Sequence, residues 1–123
     1  MSIKPYNEKE LFPPIIAVDF DGTLVTNKFP EMGEVRTTIW DAVIAYQKMG
    51  WKIILWTCRT DSMLDDAVKF CADRGLIFDA VNQNIPEVQA YYHGDTRKVF
   101  ANLYIDDRSG LLGMGNQFYP IEY

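Results

Sequence analysis

The chain alternates short apolar runs with longer amphipathic stretches. Residues 15–20 read IIAVDF, a β-branched run set off by Pro13 and Pro14, and predict a buried strand. Over residues 34–50, Val35, Ile39, Val43 and Tyr46 recur at helical spacing, and Gly50 stands where a C-terminal cap glycine belongs. WKIILWT at 51–57 predicts a second strand. Residues 60–75 predict a second helix, capped by Thr60 or Asp61, lined by Leu64, Val68 and Cys71, and stopped at Gly75. LIFDAVN at 76–82 predicts a third strand, Asn84 to Tyr92 an irregular segment or short helix, and ANLYID at 101–106 a fourth strand. The stretch 109–123 is glycine-rich and then aromatic, and is expected to add at most an edge strand. Within it GLLGMG at 110–115 reads as a loop, not as a dinucleotide fingerprint.

Strands alternating with helices of this length imply parallel pairing through right-handed crossovers. Strands that are apolar throughout fit a sheet covered on both faces. The expectation is a three-layer Rossmann-like α/β fold with a central, mostly parallel sheet. One domain covers 1–123, with 1–14 as an N-terminal extension and 110–123 as a tail.

A hydrophobic content of 48% suffices for a core, and a net charge of −5 argues against a nucleic-acid duplex or an anionic membrane as partner. Nucleic acid is disfavoured by this charge and not closed off. No apolar run is long enough for a transmembrane helix, and the polar, proline-broken start is unlike a secretory signal, so a cytoplasmic location is expected. Cys58 and Cys71 form no CxxC and are expected to be two buried, unpaired thiols. The single histidine, His93, reads as a loop residue.

Open parallel sheets bind ligands beyond the carboxyl ends of their strands. There the sequence places Asp19-Phe20-Asp21, Thr57-Cys58-Arg59 and Asp106-Asp107-Arg108, with Arg97-Lys98 just before the fourth strand. The strand period of two puts Asp19 and Asp21 on one face and Phe20 on the other, while Gly22 lets the backbone turn. Bare carboxylates gathered in this way repel, and a hard cation such as Mg²⁺, which takes oxygen ligands, relieves the cost. Metal, cation and hydroxyl together make a phosphate site. One carboxylate can attack phosphorus, and a second, kept protonated by like charge, can act as general acid.

VDFDGTL, ILWTCR, TRK and LYIDDR, in this order over residues 15–109, resemble the four-motif signature of the haloacid dehalogenase-like (HAD) hydrolase superfamily. Most of its members are Mg²⁺-dependent phosphatases. The variant resembles the small phage- and bacterial-type members that have no cap domain. The resemblance implies that Asp19 is the nucleophile and a metal ligand. It makes Asp21 the general acid and then base, its backbone carbonyl a further ligand. Thr57 would hydrogen-bond the phosphoryl group, and Lys98, or Arg97 beside it, would neutralise charge. Asp106 would complete the metal site with Asp107 in support. Gly22 and Thr23 would form a turn whose N–H groups face phosphate oxygens.

Arg59 and Arg108 are expected to salt-bridge to the acidic loop in preference to touching substrate. About a dozen residues follow the first strand before its helix, and about 40 separate Thr57 from Lys98, so neither gap holds a cap domain. Asn27, Lys28 and Phe29 in the short flap are the local candidates for substrate contact. The expected partner is a small-molecule or macromolecular phosphate ester, with homo-oligomerisation left open as a source of a cap. Two rivals stand beside the phosphatase. One is a non-catalytic metal- and phosphate-binding scaffold. The other is a receiver-like phosphoacceptor, disfavoured because the spaced acidic pair lies on the first strand and the second strand ends in Thr57.

Overall fold

A computed structural model describes residues 11–108 and the backbone of 111–114 and 117–120. The apolar runs become parallel strands: β1 (Ile15–Val18), β2 (Lys52–Leu55), β3 (Ala80–Val81) and β4 (Leu103–Ile105). Helices α1 (Thr37–Lys48), α2 (Asp61–Asp73) and α3 (Pro86–Tyr92) alternate with them. The sheet order is β3-β2-β1-β4. The chain therefore builds outward from β1 through β2 to β3, then returns to the other side of β1 with β4. That reversal makes a topological switch point between β1 and β4, where ligands of open α/β sheets bind.

Side-chain alternation along β1 divides the core into two layers. Ile16, Val18 and Phe20 are fully buried on one side, with Ile53 and Leu55 of β2, Trp40 and Val43 of α1, and Ala67 and Cys71 of α2. Ile15 and Ala17 face the other way, with Ile54, Val88 of α3, Val99 and Phe12. Both faces of the sheet are thus covered, giving the expected three-layer α/β arrangement, and among the described residues no cap domain is present. Burying Phe20 completely is worth about 2–3 kcal/mol and fixes the direction of its two acidic neighbours.

Several boundaries differ from the pattern. The first helix starts at Thr37, because Val35 pairs with Val25 in an isolated bridge and the Arg36 N–H bonds the Leu24 carbonyl. The expected third strand shrinks to Ala80–Val81. The Asp79 carboxylate accepts the Ile53 N–H at 2.8 Å, so a side chain takes the place of one ladder step. Asn102 acts likewise at β4, accepting the Ile15 N–H at 2.9 Å.

Of the tail, Leu111–Met114 (β5) and Gln117–Pro120 (β6) pair antiparallel in a separate two-stranded sheet. This corrects both the loop reading of GLLGMG and the expected edge strand. Glycine spacing argues for a loop locally, but the pairing partner, QFYP, lies beyond the glycines. Of the N-terminal extension, only residues 11–14 lie within the described part, where Phe12 packs on Tyr91 and Phe100 with ring centroids 5.6 and 5.7 Å away.

Candidate functional site

At the switch point, β1 runs out at Val18 and the Asp19 N–H bonds the Ile105 carbonyl at 2.9 Å. This bond continues the parallel pairing of β1 with β4, in which Val18 stands opposite Ile105, so the two strands end side by side. Asp19, Asp106 and Asp107 then present carboxylate oxygens that all lie within 4.8 Å of one another. The burden of this crowding falls on Asp19, whose carboxyl is pushed up to about 6. Burial is the main cause, the Phe20 N–H opposes it, and Asp106, Asp107 and Asp21 add to it.

Gly22 and Thr23 shape the back of this cluster. Gly22 has φ +84, and a Cβ placed there would lie 2.5 Å from the Asp107 Oδ2. Only glycine therefore lets the turn approach Asp107 so closely. Thr23 is buried, and its hydroxyl accepts the Asp107 N–H at 3.1 Å. The expectation that their N–H groups face phosphate is corrected. Gly22 donates to the Val25 carbonyl at 2.8 Å and Thr23 to the Phe20 carbonyl at 3.1 Å, so the tight turn uses both donors itself.

Asp21 lies apart from the three-carboxylate group. Its two oxygens receive Arg59 Nε and Nη2, each at 2.7 Å, in a bidentate pair. Arg59 is only 2% exposed, and the Asp21 carboxylate holds its guanidinium charged, above its ordinary range. The expectation that like charge crowds Asp21 is therefore corrected: the crowded carboxylate is Asp19, while Asp21 faces a cation. The expected pairing of Arg59 with the acidic loop is what the structure has.

Thr57 is fixed from two sides. Its N–H bonds Asn82 Oδ1 at 2.8 Å, and its hydroxyl accepts the Arg59 N–H at 3.1 Å, which leaves its own proton to donate. Asn82, at φ 52, was not singled out by the sequence, although an Asn closing a strand in a left-handed turn is a readable signal. Asp19, Asp21, Thr57, Asp106, Arg59 and Arg108 line one open cavity of about 590 Å³, together with Asn27 and Phe29 of the flap, Trp56 and Cys58. Cys58 is exposed, which corrects the expectation of two buried thiols; Cys71 is buried. Lys28 instead reaches Glu34 at 3.6 Å.

Lys98 and Arg97 are not brought to this cavity. Both are exposed, and the Lys98 ammonium sits 5.5 Å from the centroid of the Tyr104 ring, in a separate groove with Tyr92 and Phe100. The cause is local. Thr96 Oγ1 bonds the Lys98 carbonyl at 2.7 Å, and fully buried Asn84 gathers Asp95, Thr96 and Phe100, which fixes the turn that carries Lys98. Among the described residues, the cations at the cavity are Arg59 and Arg108.

No protein-family model matches this chain, and no curated protein matches it. A solved structure does, that of a conserved protein from Bacteroides thetaiotaomicron. It is 40% identical, superposes with a TM-score of 0.69, and the match covers 77% of this chain and 76% of the other.

Proposed function

We propose that this chain, which belongs to one family with the conserved Bacteroides thetaiotaomicron protein, is a capless HAD-like phosphomonoester hydrolase that uses Mg²⁺ and an aspartyl-phosphate. The observation that carries this reading is the convergence of Asp19, Asp106 and Asp107 at the β1/β4 switch point, with Asp19 and Asp106 lining one cavity with Thr57.

The three carboxylates fit a hard divalent cation. They offer only oxygen donors, their mutual spacing suits ligands of one ion, and the raised Asp19 carboxyl marks negative charge that a cation would relieve. Asp19, Asp106 and Asp107 would hold Mg²⁺, which supplies charge neutralisation for phosphoryl oxygens.

The chain's own residues divide the remaining work. An Asp19 oxygen attacks phosphorus while the ester P–O bond breaks, and the leaving oxygen takes a proton from a water of the open cavity, because both Asp21 oxygens already accept from Arg59. Water then attacks the phosphorus of the aspartyl-phosphate and gives a proton to Asp21, which releases phosphate and restores the Asp19 carboxylate. The Thr57 hydroxyl donates to a phosphoryl oxygen, and Arg108 supplies cationic charge at the cavity.

The test is release of phosphate from 4-nitrophenyl phosphate. Turnover is expected with Mg²⁺, lost with EDTA and lost in Asp19→Asn. Equal rates in wild type and Asp19→Asn would refute the nucleophile. The position of Lys98 away from the cavity favours a second reading, a non-catalytic metal- and phosphate-binding scaffold. That reading predicts Mg²⁺ binding without turnover on any phosphate ester.

A further inference from the structure

The cavity is larger than a phosphate group needs. Its volume of about 590 Å³ lies within the range of about 300–1,000 Å³ found for sites that take whole organic ligands. Asp19, Asp106 and Thr57 form its polar end. Among the described residues, its aromatic lining is Phe29 of the flap and Trp56, which follows β2.

Both rings are held in place by the protein itself. The Trp56 N–H bonds the Val18 carbonyl at 2.9 Å, and its side chain packs against the buried cluster that includes Ile15, Ile54 and Val88. Phe29 is 52% exposed, yet it is anchored. The Arg59 guanidinium lies over its ring, 5.2 Å from the centroid, and donates to the carbonyls of the next two residues, Pro30 at 3.4 Å and Glu31 at 2.9 Å. Arg59 is buried and paired with Asp21, so it is a fixed support. The Phe29 ring therefore keeps open surface at the cavity without the freedom of an ordinary loop side chain. A ligand that covers it loses little affinity to side-chain ordering.

These walls select among phosphate esters. A sugar phosphate brings hydroxyls, and an aromatic wall leaves hydroxyls unpaired. A flat group gains by stacking on such rings, and every nucleobase has a flat face. Asn27, exposed at the same cavity, carries an amide donor and an amide acceptor. That combination pairs with the edge of a base, and a plain phenyl ring offers nothing to it. The net charge of −5 disfavours a long anionic strand far more than a single nucleotide.

We propose that the substrate class is nucleoside monophosphates, with the base stacked on Phe29 and Trp56 and its edge at Asn27. This rests on the phosphatase reading above for the phosphate end of the site.

The experiment reads binding without turnover, by calorimetry with Mg²⁺ in the Asp19→Asn protein, which has no carboxylate to form the aspartyl-phosphate. The probes are adenosine 5′-monophosphate, ribose 5-phosphate, which differs from it by the base alone, and phenyl phosphate. The nucleotide is expected to bind at least about tenfold more tightly than either of the others. Adding Phe29→Leu, which keeps apolar bulk and removes the flat ring, should weaken nucleotide binding at least about fivefold and leave ribose 5-phosphate within about twofold. Adding Phe29→Tyr instead should preserve nucleotide affinity. Ribose 5-phosphate binding as tightly as the nucleotide, no nucleotide binding, or a Phe29→Leu loss that is absent or equal on both ligands would overturn the proposal. Phenyl phosphate binding as tightly as the nucleotide would overturn the assignment of a nucleobase. If the expected binding pattern holds while wild type hydrolyses none of the three esters, the nucleotide site stands and the phosphatase reading falls.

Discussion

Replacing Asp19 with Asn should stabilise the metal-free protein, and only at neutral and higher pH. Burial and three neighbouring carboxylates raise the Asp19 carboxyl from 3.8 to about 6. At about 1.4 kcal/mol per pK unit, holding it ionised costs the fold up to about 3 kcal/mol. The group is partly exposed, and solvent and salt screening reduce this to about 1–2 kcal/mol.

The sign follows from proton linkage. Near pH 4 and below, Asp19 is protonated in the native state and costs nothing. As pH rises from 3.8 to about 6 the unfolded chain gives up this proton first, so native stability falls, and the loss is complete above about pH 7. Asn keeps an oxygen for the Phe20 N–H and carries no charge, so it removes this loss. The assay is thermal unfolding in EDTA at several pH values. Asp19→Asn should melt within about 1 °C of wild type at pH 4 and about 3–10 °C higher at pH 8, at roughly 3–5 °C per kcal/mol for a domain of this size. A difference that does not change with pH, or a variant that melts lower at pH 8, would refute the assignment of charge crowding to Asp19. Adding Mg²⁺ at 100 times its Kd should then stabilise wild type at pH 8 by about 2.7 kcal/mol and the variant by much less.

Gly22→Ala sets a Cβ 2.5 Å from the Asp107 carboxylate at φ +84, so it should cost about 1–3 kcal/mol in urea unfolding and weaken Mg²⁺ binding by calorimetry. Asn84→Ala removes the fully buried side chain that bonds Asp95, Thr96 and Phe100 and should cost about 2–4 kcal/mol, read as a lower denaturation midpoint. Burial pushes the Cys71 thiol up to about 12, while Cys58 is exposed, so a thiol reagent at pH 8 should modify one cysteine in the native protein and both after unfolding, with Cys58→Ser abolishing the native reaction.

The elements were legible because their signals are local. A run such as IIAVDF carries its strand period in adjacent residues, and Gly50 and Gly75 end their helices at φ 97 and φ 89 with no help from distant contacts. The same period separated Phe20 from Asp19 and so placed an acid at the crevice. Asp106 and Asp107 were legible for a related reason, since a parallel α/β topology sends every strand's carboxyl end to one edge. The alternation of strands and helices was enough to fix that topology in outline.

What the sequence could not settle depended on which partner a side chain meets. Asp79 and Asn102 shorten strands by bonding a neighbouring backbone, and β5 exists because of the strand it pairs with. Asp19 and Asp21 are equivalent in a strand pattern, both acids on one face. Tertiary structure separates them, crowding Asp19 with Asp106 and Asp107 while giving Asp21 to Arg59. Lys98 shows the converse: its motif position is local, but its direction belongs to a turn held by Asn84, eleven to sixteen residues from the groups it gathers. Periodicity decided which residues reach the strand ends, because backbone geometry repeats along the chain. Only the fold decided which charges face each other there, because electrostatic pairing depends on distances between segments that the sequence leaves far apart.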